Sequence, residues 1–110
     1  MSTELESEAY AKDGVLTELL GDGPKVKMLT ALLSEPDPDV DYNVTELARL
    51  AGVSRTTVYR HLEDFTELEV LVETRTSGAS PRYKLNEDHP AVERLGQLEW
   101  ELAEYRYRDR

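Results

Sequence analysis

Cysteine is absent from the 110 residues. Disulfides, zinc-finger ligation and direct thiol redox sensing are excluded with it. Histidine occurs only at His61 and His89, and neither a Gly-x-Ser-x-Gly elbow nor a phosphate-cradling glycine loop is present. The chain therefore reads as a non-enzyme that needs no cofactor. No apolar run approaches the roughly 20 residues needed to cross a bilayer, and Met1–Tyr10 is acidic and polar. Neither a membrane span nor a secretory signal is expected, which points to the cytoplasm. The acid-rich stretches Glu35–Asp41 and Glu99–Glu104 match no EF-hand spacing. Loose association with cations is expected there, with no defined metal site.

Positive charge is also scarce, with 13 Lys and Arg against 23 Asp and Glu and a net charge of −10. The deficit is uneven. Residues 1–44 carry 3 basic and 10 acidic side chains, residues 86–110 carry 4 and 7, and residues 45–85 carry 6 of each. The middle is thus neutral in a chain that is otherwise strongly acidic. Nucleic-acid binders are usually basic. At about 1 M salt, however, the Debye length is about 3 Å, and remote carboxylates would barely repel DNA.

The length suits one domain, commonly about 100–150 residues. No internal repeat or low-complexity tract appears. A first helical pattern runs from about Glu8 to Leu20, and Gly21-Asp22-Gly23 stops it. Pro24 opens a second helix whose apolar face is Val26, Met28, Leu29, Leu32 and Leu33. Residues 34–41 read as an exposed loop, Tyr42-Asn43-Val44 as a short extended piece, and Thr45 as an N-cap. Helices at Thr45–Ala51 and Ser54–Phe65 are separated only by Gly52-Val53. Val70–Arg75 and Arg82–Leu85 have strand character, with residues 76–81 as a hairpin loop. Pro90 opens a long amphipathic helix that reaches about Tyr107.

The two central helices carry the functional signal. Leu47 and Leu50 form a short apolar stripe, and Ala48 is small enough for a second helix to cross closely. Gly52 can take the positive φ that ends a helix tightly, and Val53 plugs the corner. Ser54 caps the following helix, whose Val58, Leu62 and Phe65 recur at helical spacing. Arg55, Thr56, Tyr59 and Arg60 must then face outward. Arginine can bind guanine O6 and N7 together, and threonine can bond a base or touch a thymine methyl. Ser54 and Thr57, at the helix N-terminus, suit phosphate. Thr45 completes the candidate contacts of this segment.

The run Ser54, Thr57, Val58, Arg60, Leu62, with the hairpin that follows, resembles the winged helix-turn-helix transcriptional regulators of bacteria and archaea. The resemblance covers about Lys25–Leu85. The acidity and the flanking helices resemble haloarchaeal members, among which are stress-response regulators. The resemblance implies double-stranded DNA binding, with Ser54–Arg60 in the major groove and Ser77–Arg82 as the wing. One departure stands out: many relatives place a glycine before the first hairpin strand, and Glu69 occupies that neighbourhood, so a different turn geometry is expected at the strand entry. Ser80, Arg82 and Lys84 are the candidate DNA contacts of the wing, flanked by Arg75.

The expected fold is mainly α with a small β-hairpin, a winged helix-turn-helix with long N- and C-terminal flanking helices. Residues 1–23 form an acidic segment and helix, residues 24–86 the DNA-binding domain, and residues 87–110 a dimerisation helix. Leu95, Leu98, Leu102 and Tyr105 recur as a heptad seam, with Gly96, Trp100, Ala103 and Tyr107 on an adjacent face. Leu16 and Leu19 are expected to join that seam in a homodimer, which implies a pseudo-palindromic operator. Salt cations are expected at the DNA interface. The competing expectation is a winged helix used for protein–protein contact.

Overall fold

The computed structural model describes residues 14–78 and 80–108, and the start of the first expected helix lies outside them. The elements are helix α1 (Val15–Leu20), α2 (Pro24–Leu33), α3 (Val44–Ala51) and α4 (Arg55–Glu67), strands β1 (Leu71–Ser77) and β2 (Ser80–Leu85), and helix α5 (Pro90–Tyr107). This is the winged helix-turn-helix arrangement, with flanking helices at both ends. Helix α2 packs on α3, α3 on α4, and α4 on β1, while α1 packs against both α2 and α5. Met28, Leu32, Leu47, Ala48, Val58 and Leu71 lie in one buried cluster, and Val58 exposes no surface. Removing a side chain such as Val58 from water contributes about 1.5–3 kcal/mol.

Helix α3 begins earlier than expected. Its N-cap is Asn43, whose side chain accepts the Glu46 N–H at 2.8 Å, while the Glu46 carboxylate accepts the Asn43 N–H at 2.9 Å. Such a reciprocal capping box needs a Glu or Gln three residues after the cap. Asn43 has Glu46 there, whereas the expected cap Thr45 would have Ala48. Thr45 lies instead inside the first turn, exposed.

Helices α3 and α4 end in the same way. Beyond α3, the Gly52 N–H donates to the Arg49 carbonyl at 3.3 Å and the Val53 N–H to the Ala48 carbonyl at 3.0 Å. Gly52 sits at φ 71° and ψ 36°. Beyond α4, the Glu69 N–H donates to Thr66 at 3.0 Å and the Val70 N–H to Phe65 at 2.9 Å. Both are Schellman turns, each requiring one left-handed residue. In the second that residue is Glu69, at φ 60°, the only non-glycine residue with positive φ among those described. The unusual residue noted in the sequence therefore keeps the glycine geometry. The Asn86 side chain donates to the Glu69 carbonyl at 3.0 Å, and its backbone N–H to Val70 at 2.9 Å, holding the turn.

The hairpin is longer than the sequence suggests. Pairing continues to Ser77↔Ser80, so only residues 78 and 79 remain between strands, and Gly78 supplies a positive φ of 64°. The register shifts between Glu73 and Arg75, which sets Arg75 directly opposite Arg82. Tyr42 ties the preceding loop to the hairpin by a single antiparallel bridge, exchanging backbone hydrogen bonds of 2.7 and 2.8 Å with Tyr83.

A left-handed conformation costs a residue with a Cβ about 1–2 kcal/mol. Glu69→Gly should therefore raise stability by about 1 kcal/mol, read as a higher urea midpoint at unchanged m-value. An unchanged or lower midpoint would show that the Glu69 side chain offsets the strain.

Candidate nucleic-acid interface

The buried Val58 and Phe65 and the half-buried Leu62 set the rotation of α4. Arg55, Thr56, Tyr59 and Arg60 are all exposed on its other side, as the spacing predicts. Neither Arg55 nor Arg60 forms an ion pair with a described residue. Ser54 caps the helix: its Oγ accepts the Thr57 N–H at 3.1 Å and lies 2.8 Å from the Thr57 hydroxyl. That bond uses one of the free N–H groups at the helix start and leaves those of Arg55 and Thr56 for an anion. Arg49, exposed in the last turn of α3 beside the corner, is a further cation with no ion pair to a described residue. The sequence reading passed over it, although its place just before Gly52 was visible.

The wing is built differently from the expectation. Its flanking cations are ion-paired within the chain. Asp41, in the loop after α2, accepts Arg82 Nε on Oδ1 at 2.9 Å and Arg75 Nε on Oδ2 at 3.0 Å. The Thr74 hydroxyl donates to Asp41 Oδ2 at 2.7 Å. Arg82 Nη2 also donates to the Asp41 carbonyl at 3.0 Å and to Glu46 Oε1 at 2.8 Å. Lys84 reaches Asp39 at 3.4 Å.

The bulge accounts for this arrangement. Two arginines directly across an antiparallel pair repel one another, and a carboxylate between them removes the repulsion. The Arg82 side chain is only 17% exposed and is committed to this network, whereas that of Arg75 keeps 65% of its surface. Of the wing candidates, Arg82 and Lys84 are thus engaged, Ser80 is exposed at the turn, and Arg75 remains accessible. The loop expected to be solvated supplies the partners, Asp39 and Asp41. Nothing local in the sequence marks them, since Asp41 lies 34 and 41 positions from the arginines it joins.

At the flanks, Leu16 is buried within the chain, so its expected place in a dimer seam is not available. Its rows from α1 and α5 pack on each other, and Arg106 pairs with Glu18 at 3.1 Å. Leu95 and Leu102 are half-buried along that contact, beside the buried Val92 and Glu99. Leu19, Leu98 and Tyr105 stay exposed, as do Leu20, Trp100 and Tyr107. At about 100° per residue, Leu98 and Tyr105 fall on one side of the covered stripe, and Trp100 and Tyr107 on the other.

A family model described as winged helix-turn helix matches residues 27–91, more than half of the chain. The chain belongs to that family, and membership points to DNA binding in a regulatory role. No curated protein and no solved structure matches it. Among the described residues no helix is long and apolar enough to cross a membrane.

Hydrogen bonds from Arg75, Thr74 and Arg82 hold the Asp41 carboxyl well below the usual carboxylate range. A depressed folded-state pKa contributes stability that is complete above the unfolded value, about 3.9, and drains away as pH falls toward the folded one. Asp41→Asn should therefore be less stable than the native chain near neutral pH, and the gap between their urea midpoints should close below about pH 4. A gap independent of pH would assign the loss to geometry rather than charge.

Proposed function

We propose that this protein is a sequence-specific transcriptional regulator that binds double-stranded DNA as a homodimer, and that it is not an enzyme. One observation carries the reading. In a chain of net charge −10, the outward face of α4 holds Arg55 and Arg60 unpaired beside Thr56 and Tyr59. That face enters the major groove, and Arg49 and the exposed edge of Arg75 lie along phosphates. Arg82 and Lys84 shape the wing without binding phosphate directly.

Two such helices about 34 Å apart would read a pseudo-palindromic operator. The pairing surface combines Leu19 and Leu20 with the exposed row of α5, where Trp100 is 69% and Tyr107 75% exposed. Large aromatic side chains left in water on both sides of one helix are the kind of patch that marks an association site. The acid excess fits a haloarchaeal cytosol, and a stress-response regulator is the narrower form that the sequence resemblance supports. Salt cations would then sit between the surface carboxylates and the phosphates.

The ion-paired wing favours a second reading, a winged helix used for protein contact. DNA binding separates the two. Arg55→Ala/Arg60→Ala should abolish sequence-selective binding to genomic fragments in molar KCl, each arginine contributing about 1–3 kcal/mol of discrimination. Because each phosphate contact contributes about −0.9 to the salt slope, a face with so few free cations should show a shallow or even reversed slope. Native protein that binds no fragment would leave the protein-contact reading in place.

For the dimer, Trp100→Glu should yield monomers by light scattering while leaving the helical circular dichroism unchanged. Native protein that is already monomeric at micromolar concentration would remove the two-fold operator from the proposal.

A further inference from the structure

A cavity of about 280 Å³ lies between the end of α2, the loop 34–41, the end of β2 and α5. Its walls are hydrocarbon. Leu32 and Val92 are buried, and Val40 and Leu85 are half-buried. Its polar lining is anionic: Glu35, Asp37, Glu87 and Glu93 contribute to it, and no Lys or Arg does. Two of these carboxylates are held in place. Glu35 accepts the Tyr42 hydroxyl at 2.7 Å and the Asp37 N–H at 3.2 Å, and Asp37 accepts the Asp39 N–H at 3.0 Å. The Glu87 and Glu93 side chains are exposed, and their carboxylates have no hydrogen-bond or ion-pair partner among the described residues.

Gly96, in the middle of α5, lines the same cavity. A glycine in a helix interior costs about 1 kcal/mol relative to alanine. Here a Cβ would meet only the Leu33 Cδ2 atom, at 4.0 Å, so no close neighbour requires the glycine. What the missing side chain leaves is an open wall beside Leu33.

We propose that this cavity binds a small organic cation, an amine or quaternary ammonium carried on a compact hydrocarbon or aromatic body. The lining selects that chemistry. An anion would meet four carboxylates. A neutral apolar molecule would leave them unused, and a hydrated metal ion would gain nothing from Leu32 and Val92. An ammonium beside Glu87 and Glu93 with its body against the leucines uses both parts.

The site also has a mechanical connection. The loop that brings Glu35 and Asp37 to the cavity brings Asp39 and Asp41 to the wing cations. On the DNA-binding reading above, on which this last step rests, an occupant that draws in the loop alters the hold on Arg75, Arg82 and Lys84. The cavity then serves as an effector site.

Benzyltrimethylammonium titrated into the full chain, followed by backbone amide NMR without DNA, tests binding on its own. In about 1 M KCl charges beyond about 3 Å are screened, so a general attraction to the acidic surface is suppressed. Saturable shifts confined to Leu33, Val40, Leu85, Gly96 and their neighbours are expected. Affinity should fall about tenfold, or about 1.4 kcal/mol, in Glu87→Gln/Glu93→Gln. It should persist in Glu101→Gln/Glu104→Gln, which removes the same charge further along α5. Benzyl alcohol, the uncharged comparison, should bind about tenfold more weakly than the ammonium. A titration that does not saturate, shifts scattered over the acidic surface, or equal losses in the two double variants would overturn the proposal. Since no DNA is present, failure of the regulator reading would leave this result intact.

Discussion

The burial of Val58 in the first turn of α4 is the constraint on which the rest of the domain depends. With that side chain sealed against the cluster containing Leu47, Ala48 and Ala51, the helix can neither roll nor slide without opening a void. Its outward residues are thereby chosen. The small Ala48 and Ala51 let α3 lie close across it, and the turn at Gly52 is tight because the two helices meet at so short a distance. The second turn, at Glu69, has the same geometry with a less suitable residue. Its hydrogen bonds to Asn86 and the contact of Phe65 with the core side of Val70 hold a conformation that glycine would take without strain.

Electrostatics divide the surface into two parts. On α4 and the end of α3, Arg49, Arg55 and Arg60 form no ion pair with a described residue, although Glu46, Glu63 and Asp64 lie within helical reach; Glu46 is taken by Arg82 and Asp64 by Lys25. At the wing, every cation whose position is described is held by an acid, and one residue, Asp41, joins the loop, the hairpin and, through Arg82, the first turn of α3. A hairpin held in this way forms a rim tied to the loop and to the first turn of α3. Phosphate could displace Asp41 only by leaving a carboxylate uncompensated, so a neutral wing is better suited to steric fit than to charge-driven affinity.

The long C-terminal helix faces in more than one direction. Its covered stripe closes the domain against α1, its side chains Trp100, Tyr105 and Tyr107 are exposed, and its first turns help to wall the cavity. The acidic loop is likewise shared, presenting Glu35 and Asp37 to the cavity and Asp39 and Asp41 to the hairpin. The cavity and the hairpin are thus joined by the seven residues 35–41.

Much of this was readable from residues close together in the chain. The periodicity of Val58, Leu62 and Phe65 was enough to predict which side chains of α4 face outward, because a helix converts spacing directly into direction. Gly52 announced the first turn, whereas Glu69 pointed to a different turn geometry and instead holds the left-handed conformation of a glycine. The alternation and turn residues of 70–85 announced the hairpin. Local reading failed where two local signals competed or where partners were distant. Thr45 looked like a cap until the pairing of Asn43 with Glu46 proved better, and Leu16 looked free for a dimer until α5 covered it. The neutralised wing, the cavity and the bulge that sets Arg75 against Arg82 were decided only by tertiary structure. Each depends on residues tens of positions apart, and nothing in the chain's local pattern records which acid will come to rest between two arginines.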